Sequence, residues 1–202
     1  REAAQHEVEY ARRVEAGSSF EALEREIVKY LLKFGHCSFD FKEGREMVPC
    51  NVAEVIFGEL SDDNITFRNP VYAKIMATYR AQWEQTGPGV EVPVRLFLNH
   101  VDPEVCNAAV DLLTADDNYV ASELWRRKEV HVESEAEMLA VGVPKAVTLY
   151  KSKVIDSLIK ELNARLADDT LTDAEQEEVL RRLDGYNRVK VQIAHKLRRL
   201  IL

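Results

Sequence analysis

Most of the chain repeats its apolar residues every three or four positions. This is the period of an α-helix, in which residues i, i+3 and i+4 share one face. Only eight Gly and six Pro interrupt the 202 residues. The pattern therefore predicts an all-α fold, arranged as a helical bundle followed by a C-terminal helical hairpin.

The first strong helical pattern begins at a pair of serines. Ser18 offers an N-cap, and Glu21 lies three residues later, as in a capping box. The apolar stripe that follows consists of Phe20, Leu23, Ile27, Leu31 and Phe34, and Gly35 ends it. Residues 1–17 are charged and thinly apolar, and we interpret them as a linker or lead-in helix.

Between Ser38 and Cys50 the period shortens to two, since Phe39 and Phe41 alternate with polar residues. A short hairpin or loop is expected there. Three further helix starts are predicted from residues that commonly cap helices. They are Asn51, Asn69 followed by Pro70, and Asp102 followed by Pro103. The predicted helices are one after Asn51 that carries Val52, Val55, Ile56 and Leu60, then Val71–Gln85, a short one from Pro93 to Asn99, and Val105–Leu113. The stretch from Thr114 to Ser134 is expected to be mostly irregular.

From Glu135 to Leu166 the helical period is nearly continuous, but Gly142 and Pro144 lie inside it. Proline lacks an N–H and clashes with the preceding turn, so we expect a kink or a split there. The expected domains are therefore a bundle over residues 18–144 and a hairpin over residues 145–202. A turn at Asp168–Thr172, with Thr172 or Asp173 as N-cap, opens the last helix.

The last helix has an apolar arc of about 200 degrees at 100 degrees per residue, wider than one neighbour can cover. We expect one sector to pack inside the protein, namely Leu180, Leu183, Val191, Ala194, Leu197 and Ile201. The second sector then forms a docking face of Tyr186, Val189, Ile193 and Leu200, with Arg182 and Lys196 as its polar rim. The alternative is that the rest of the protein covers this sector.

The charge is uneven along the chain. Residues 145–202 carry 12 basic and 9 acidic residues, whereas the whole chain carries 27 and 35. After Gly185 every charged residue is basic, which is typical of solvated cations favoured at a helix C-terminus, or of a surface that steers an acidic partner. The net charge of −8 argues against unaided nucleic-acid binding.

No apolar run approaches membrane-spanning length, and no signal-peptide layout is visible. Three cysteines in such a chain are best explained as reduced thiols. We therefore expect a cytoplasmic fragment of a longer protein, without membrane association.

The residues also indicate no catalytic or metal site and no cofactor. His36-Cys37 with Cys50 lacks the second matched pair that a zinc site needs. The pairs Asp62-Asp63, Asp116-Asp117 and Asp168-Asp169 fall in predicted turns, where aspartate is common for structural reasons. No phosphate-binding or hydrolase motif is present.

Several segments, in order and spacing, resemble the C-terminal region of bacterial DnaG-type DNA primases, particularly those of the Bacteroidetes. They are Glu24 to Leu32, Ile65 to Tyr72, Leu124-Trp125, Lys151 to Leu166, and Asn187 to Leu202. The ending Lys196-Leu197-Arg198-Arg199-Leu200-Ile201-Leu202 is the most specific part. The resemblance covers about residues 18–202.

This resemblance implies a bundle similar to the N-terminal domain of the replicative helicase, followed by a hairpin that docks on that helicase domain. It implies a role in DNA replication at the primosome, coupling RNA primer synthesis to fork unwinding. The polymerase (nucleotidyltransferase) core and the template-reading zinc domain of such a primase would lie outside this chain, which would therefore be no enzyme itself. A continuous helix is expected to connect bundle and hairpin in that family, and Gly142 and Pro144 depart from this.

Two other interpretations remain open. One is a helical nucleic-acid-binding module, supported by the basic C-terminus and opposed by the acidic remainder. The other is a self-association module, although we expect the isolated chain to be monomeric.

Overall fold

The computed structural model describes residues 20–43, 46–114, 135–167 and 171–201. The chain divides into two compact units, residues 1–144 and 145–202. The expectations for residues 1–17, for 115–134 and for the Asp116-Asp117 and Asp168-Asp169 pairs fall outside the described residues.

Helices make up most of the described structure, and the two short strands found there form one small sheet, which confirms the all-α class. Helix α1 covers residues 20–34. Two strands follow, β1 (Ser38–Glu43) and β2 (Glu46–Asn51). The remaining helices are α2 (Val52–Asp62), α3 (Pro70–Thr86), α4 (Arg95–Leu98), α5 (Pro103–Thr114), α6 (Glu135–Leu166) and α7 (Asp173–Ile201).

Helix α1 buries the predicted stripe at Phe20, Ile27 and Leu31. It ends at Gly35, whose N–H donates to the carbonyl of Leu31 at 3.0 Å. The hydroxyl of Tyr79 in α3 lies where a Cβ at this position would stand. A side chain at Gly35 would therefore push α3 away from the end of α1.

Of the two forms expected over Ser38–Cys50, a short hairpin or a loop, the structure has the hairpin. Strands β1 and β2 pair antiparallel, with Ser38 opposite Asn51 and Glu43 opposite Glu46. Phe39 is buried and contacts Phe41 edge to face at 6.4 Å between ring centroids. This small sheet ends directly at α2, because Asn51 both closes β2 and caps the helix.

The predicted helix starts are confirmed by their capping hydrogen bonds. Asn51 Oδ1 accepts from the N–H of Glu54, and Glu54 Oε2 accepts from the N–H of Asn51, both at 2.9 Å. Asn69 Oδ1 accepts from Val71 N–H at 2.9 Å, with Pro70 in the first turn. Asp102 Oδ1 accepts from Glu104 N–H at 3.0 Å at the start of α5. Local sequence therefore determines where α2, α3 and α5 begin.

The core of the first unit is apolar and aromatic. Its fully buried members come from α1 through α6 and include Ile27, Ile56, Ile75, Phe97, Leu112 and Leu139. Phe97 of the four-residue α4 stacks on Tyr79 at 6.1 Å between centroids. Burial raises the pKa of Tyr79 to about 12, so its hydroxyl stays protonated.

Helix α6 is not split at Gly142 and Pro144, where a kink or a split was expected. It is assigned without interruption from Glu135 to Leu166. Leu139, Val143 and Val147 are buried on either side of Pro144, and this packing holds both halves helical despite the missing N–H. Gly142 has a packing reason, because the Tyr30 hydroxyl of α1 leaves no room for a Cβ there.

Candidate docking surface

In the second unit, α7 forms an antiparallel hairpin with the part of α6 that covers residues 145–166. Lys190 Nζ in α7 lies 2.6 Å from Asp156 Oδ1 in α6. Asp156 lies ten residues before the end of α6, and Lys190 lies 17 residues into α7. At a rise of about 1.5 Å per residue these side chains meet only if α7 folds back along α6.

A helix-capping motif begins α7 after the turn. Thr172 N–H donates to Glu175 Oε2 at 3.0 Å, and Glu175 N–H donates to Thr172 Oγ1 at 3.4 Å. These reciprocal bonds form a capping box with Thr172 as the N-cap. Of the two candidates, Thr172 rather than Asp173 therefore caps the helix.

One line of α7 residues, which we call the seam, shares the face of Lys190. Its members alternate gaps of four and three: Val179, Leu183, Tyr186, Lys190, Ile193 and Leu197. Val179 is buried at 2% exposure, and Leu183, Tyr186, Ile193 and Leu197 are half-buried. In α6, Leu162 is also buried. This is the spacing of a two-helix coiled-coil contact.

The seam differs from the sector expected to pack inside. Leu180 and Val191 were assigned to that sector, but they are 56% and 57% exposed, and Ala194 is exposed as well. Leu183 and Leu197 are half-buried in the seam, and the side chain of Ile201 lies outside the described residues. In a two-helix contact the buried residues recur every 3.5 positions on average and form a narrow line. Such a contact covers about half of the apolar arc, so the other apolar residues stay exposed.

The expected docking face is divided by the seam. Tyr186 and Ile193 belong to the seam itself and are half-buried. Arg182, Val189 and Lys196 are exposed, and they lie seven residues apart, so they form one row beside the seam. We call this the flanking row. The side chain of Leu200, the sixth candidate, lies outside the described residues.

Val189 is the apolar centre of the flanking row. Its exposure is 39%, and a charged residue lies two turns away on either side. Tyr186 and Ile193 lie one turn away on the edge of the same face. The row can thus offer a partner one accessible aliphatic group, two cations and the edges of two larger apolar side chains.

The other charges of α7 are partly compensated along the helix. Arg188 pairs with Asp184 at 2.6 Å, and Arg181 pairs with Glu178. Beyond Asp184 the helix contains no acid, and Arg188, Lys190, Lys196 and Arg198 are exposed. The helix is therefore acidic in its first turns and basic in its last.

Sequence reasoning missed a buried carboxylate that joins two of the segments carrying the family resemblance. Glu24 of α1 is fully buried, and its oxygens accept from Arg68 N–H at 2.6 Å and Asn69 N–H at 3.0 Å. The Arg68 guanidinium lies 3.8 Å from the centroid of the Phe20 ring. The sequence did contain a sign of this burial, because Glu24 lies one turn after Phe20 on the apolar face of α1. Its role is structural, because it fixes the start of α3 against α1.

A cleft between α2 and α3 was also not predicted. Its volume is about 230 Å³. The lining is apolar except for Ser61, Thr66 and Arg80, and the apolar members are Phe57, Leu60, Ile65, Phe67, Ala73, Met76 and Ala77. Arg80 lies 5.0 Å over the Phe57 ring, donates to Ser61 Oγ and is 3.4 Å from Glu84. The guanidinium is thereby engaged by the protein's own groups.

The cysteine and histidine cluster stays small in the structure. Cys37 Sγ lies 3.7 Å from His36 Nε2, and all three cysteines are free thiols. Among the described residues no group of three or more potential ligands is close enough to hold a metal ion. Asp62 and Asp63 are exposed at the end of α2, with Asp63 as its C-cap.

One family model matches almost the whole chain, residues 9–200, and it describes a domain of unknown function, DUF8430. The chain belongs to this family. No curated protein and no solved structure matches it. Among the described residues of this DUF8430 chain, no helix is both long enough and apolar enough to cross a membrane.

Proposed function

We propose that this chain is a protein-docking module that binds the N-terminal domain of a bacterial replicative helicase through α7. In this proposal it forms part of a DnaG-type primase and couples primer synthesis to fork unwinding in the cytoplasm. It contributes no catalytic group and no cofactor of its own. The partner is taken from the sequence resemblance, and the surface is taken from the geometry of the hairpin.

The observation that carries the proposal is the exposed flanking row of Arg182, Val189 and Lys196. Val189 is 39% exposed in the middle of a helix, beside the half-buried Tyr186 and Ile193. Interface centres are rich in aromatic and aliphatic side chains, and arginine is enriched among residues that dominate binding. A row of this composition on a two-helix hairpin supports binding to a helical partner.

The charges of the row support steering rather than tight binding by themselves. Arg182 and Lys196 are exposed to solvent, where salt screens a surface charge over about 8 Å at physiological ionic strength. Such rim charges affect mainly the association rate. We therefore expect the affinity for an acidic helicase surface to weaken moderately with added salt.

The test is a titration of the 202-residue chain into the N-terminal domain of the replicative helicase from the same organism, followed by calorimetry. Val189→Asp is the test variant, because it places a carboxylate at the centre of the flanking row. Val101→Asp is the matched control, because Val101 is 95% exposed and lies outside the hairpin. We expect at least a tenfold loss of affinity for Val189→Asp and no change for Val101→Asp.

Two results would contradict the proposal. If the unmodified chain does not bind the helicase domain, the partner is wrong. If it binds and Val189→Asp binds equally well, the partner is right but the flanking row is not the surface. Binding of single-stranded DNA by the chain alone, with a steep salt dependence, would instead favour the nucleic-acid-binding alternative.

A further inference from the structure

Helix α7 carries a second exposed surface, on the side opposite Val189. Asp173, Leu180, Val191 and Arg198 project within about 20 degrees of one another at 100 degrees per residue. All four are exposed, and Leu180 and Val191 are 56% and 57% exposed. We call these four residues the outer stripe.

The outer stripe is symmetric about the middle of the helix. Leu180 and Val191 are equally far from the midpoint between Gly185 and Tyr186. Asp173 and Arg198 are also equally far from that midpoint, near the two ends of the helix. An apolar residue therefore mirrors an apolar residue, and an acid mirrors a base.

Within the described part of α7, neither terminal charge of the stripe has an oppositely charged residue three or four positions away. The residues three and four positions before Arg198 are His195 and Ala194, and those three and four after Asp173 are Gln176 and Glu177. Ion pairs along a helix form at those spacings. Asp184 and Arg188, nearer the midpoint, already pair with each other.

We propose that a second copy of this chain binds the outer stripe, with the two α7 helices antiparallel about a two-fold axis. In this arrangement Leu180 of each copy packs against Val191 of the other, and Asp173 of each copy faces Arg198 of the other. A two-fold interface uses the same patch twice, and a stripe whose two halves mirror each other with opposite charge meets that requirement. A parallel pair would place Asp173 against Asp173 and Arg198 against Arg198.

The contact is small, because it consists of one face of one helix from each copy. Interfaces of this size are weak and transient, so the dimer forms at high concentration and dissociates with added salt. The flanking row lies on the opposite side of α7 and stays accessible in the dimer. The inference therefore stands independently of the helicase proposal.

Sedimentation equilibrium of the 202-residue chain, at increasing concentration and at low and high salt, tests the self-association. We expect a monomer–dimer equilibrium that salt shifts toward monomer. Leu180→Asp and Val191→Asp should each raise the dissociation constant at least tenfold. Val101→Asp and Val189→Asp should leave it unchanged, because neither residue belongs to the outer stripe.

Charge exchange tests the antiparallel register. Asp173→Arg and Arg198→Asp should each raise the dissociation constant, and the double variant should restore it, since both facing pairs are then reversed. Both substitutions oppose the helix dipole, so the double variant has the least stable α7. Restored association in that variant is therefore not a stability effect.

Cysteine cross-linking gives a second measurement of the same register. In a background with Cys37, Cys50 and Cys106 replaced by serine, a mixture of Leu180→Cys and Val191→Cys chains should form a disulfide-linked heterodimer. Each variant alone should cross-link far less. A monomer at all concentrations, or a double charge variant that stays dissociated, or cross-linking of Leu180→Cys with itself as efficient as the mixture, would overturn the proposal.

Discussion

Helices α2 and α7 are both amphipathic, yet they bury very different shares of their apolar residues. The 11 residues of α2 include six buried ones, whereas in α7, over the side chains that the structure describes, only Val179 is buried. Helix α2 follows β2 directly, and its Phe57 contacts Tyr79 and Trp83 of α3. The contrast shows that apolar periodicity identifies a helix, while the number of neighbours decides whether its face becomes core or surface.

The largest effect is expected in the first unit. Phe97→Ala should lower the free energy of unfolding by about 3–5 kcal/mol, because it removes a fully buried ring stacked on Tyr79. Leu98→Ala, at the neighbouring and exposed position, should change it by less than about 0.5 kcal/mol. Denaturant unfolding of both variants measures the difference. Equal losses would mean that α4 is not packed as the structure has it.

The next effect concerns the buried carboxylate of α1. Glu24→Ala leaves the N–H groups of Arg68 and Asn69 without this acceptor, and we expect a loss of about 1–3 kcal/mol. Glu26→Ala is the matched control, because Glu26 is half-exposed and forms an i,i+3 ion pair with Lys29 at the surface. Thermal unfolding compares the two. If Glu24→Ala is as stable as Glu26→Ala, the carboxylate does not hold the start of α3.

A smaller effect is expected in the hairpin. Ile193→Asp and Leu197→Asp should each destabilise it by about 1–3 kcal/mol, because both place a carboxylate in the half-buried seam. Val191→Asp, on the exposed side of the same helix, should have little effect in dilute solution. Amide hydrogen exchange along α7 reports these local changes. If only Leu197→Asp loses amide protection along α7, Ile193 faces outward and is not part of the seam.

The smallest effect depends on pH at the start of α7. Hydrogen bonds from the Thr172 backbone and hydroxyl hold the pKa of Glu175 below its ordinary value of 4.5. Because the pKa is lowered in the folded state, this stabilisation is present above that ordinary value and is lost as the pH falls through the folded pKa. We expect amide protection in the first turn of α7 to fall in acid. Glu175→Gln should abolish this dependence, and Glu177→Gln should not.

The sequence predicted best what local chemistry determines. The caps at Asn51, Asn69 and Asp102 each need only a side chain and the next few backbone N–H groups, and each was confirmed. The hairpin over Ser38–Cys50 followed from its period of two. The continuity of α6 through Pro144 was not predicted, because it depends on the burial of residues on both sides of the proline.

What the sequence missed depends on contacts between distant segments. Glu24 and Arg68 lie 44 positions apart, and no local pattern pairs them. The prediction that Leu180 and Val191 pack inside was wrong. Helix α6 determines which face of α7 is covered, and that face carries Lys190. Both the flanking row and the outer stripe follow from the position of that face.

The ion pair between Lys190 and Asp156 also affects how uniquely the hairpin can fold. If the seam contained only apolar residues, α7 could shift along α6 by one heptad at little energetic cost, because each apolar side chain would still contact another apolar one. With Lys190 in the line, a slide of seven residues brings Leu183 or Leu197 beside Asp156 and moves the lysine to Leu149 or Asn163. A single charged residue in the seam thus makes the misaligned hairpins less favourable than the native one, even though its own contribution to stability is small.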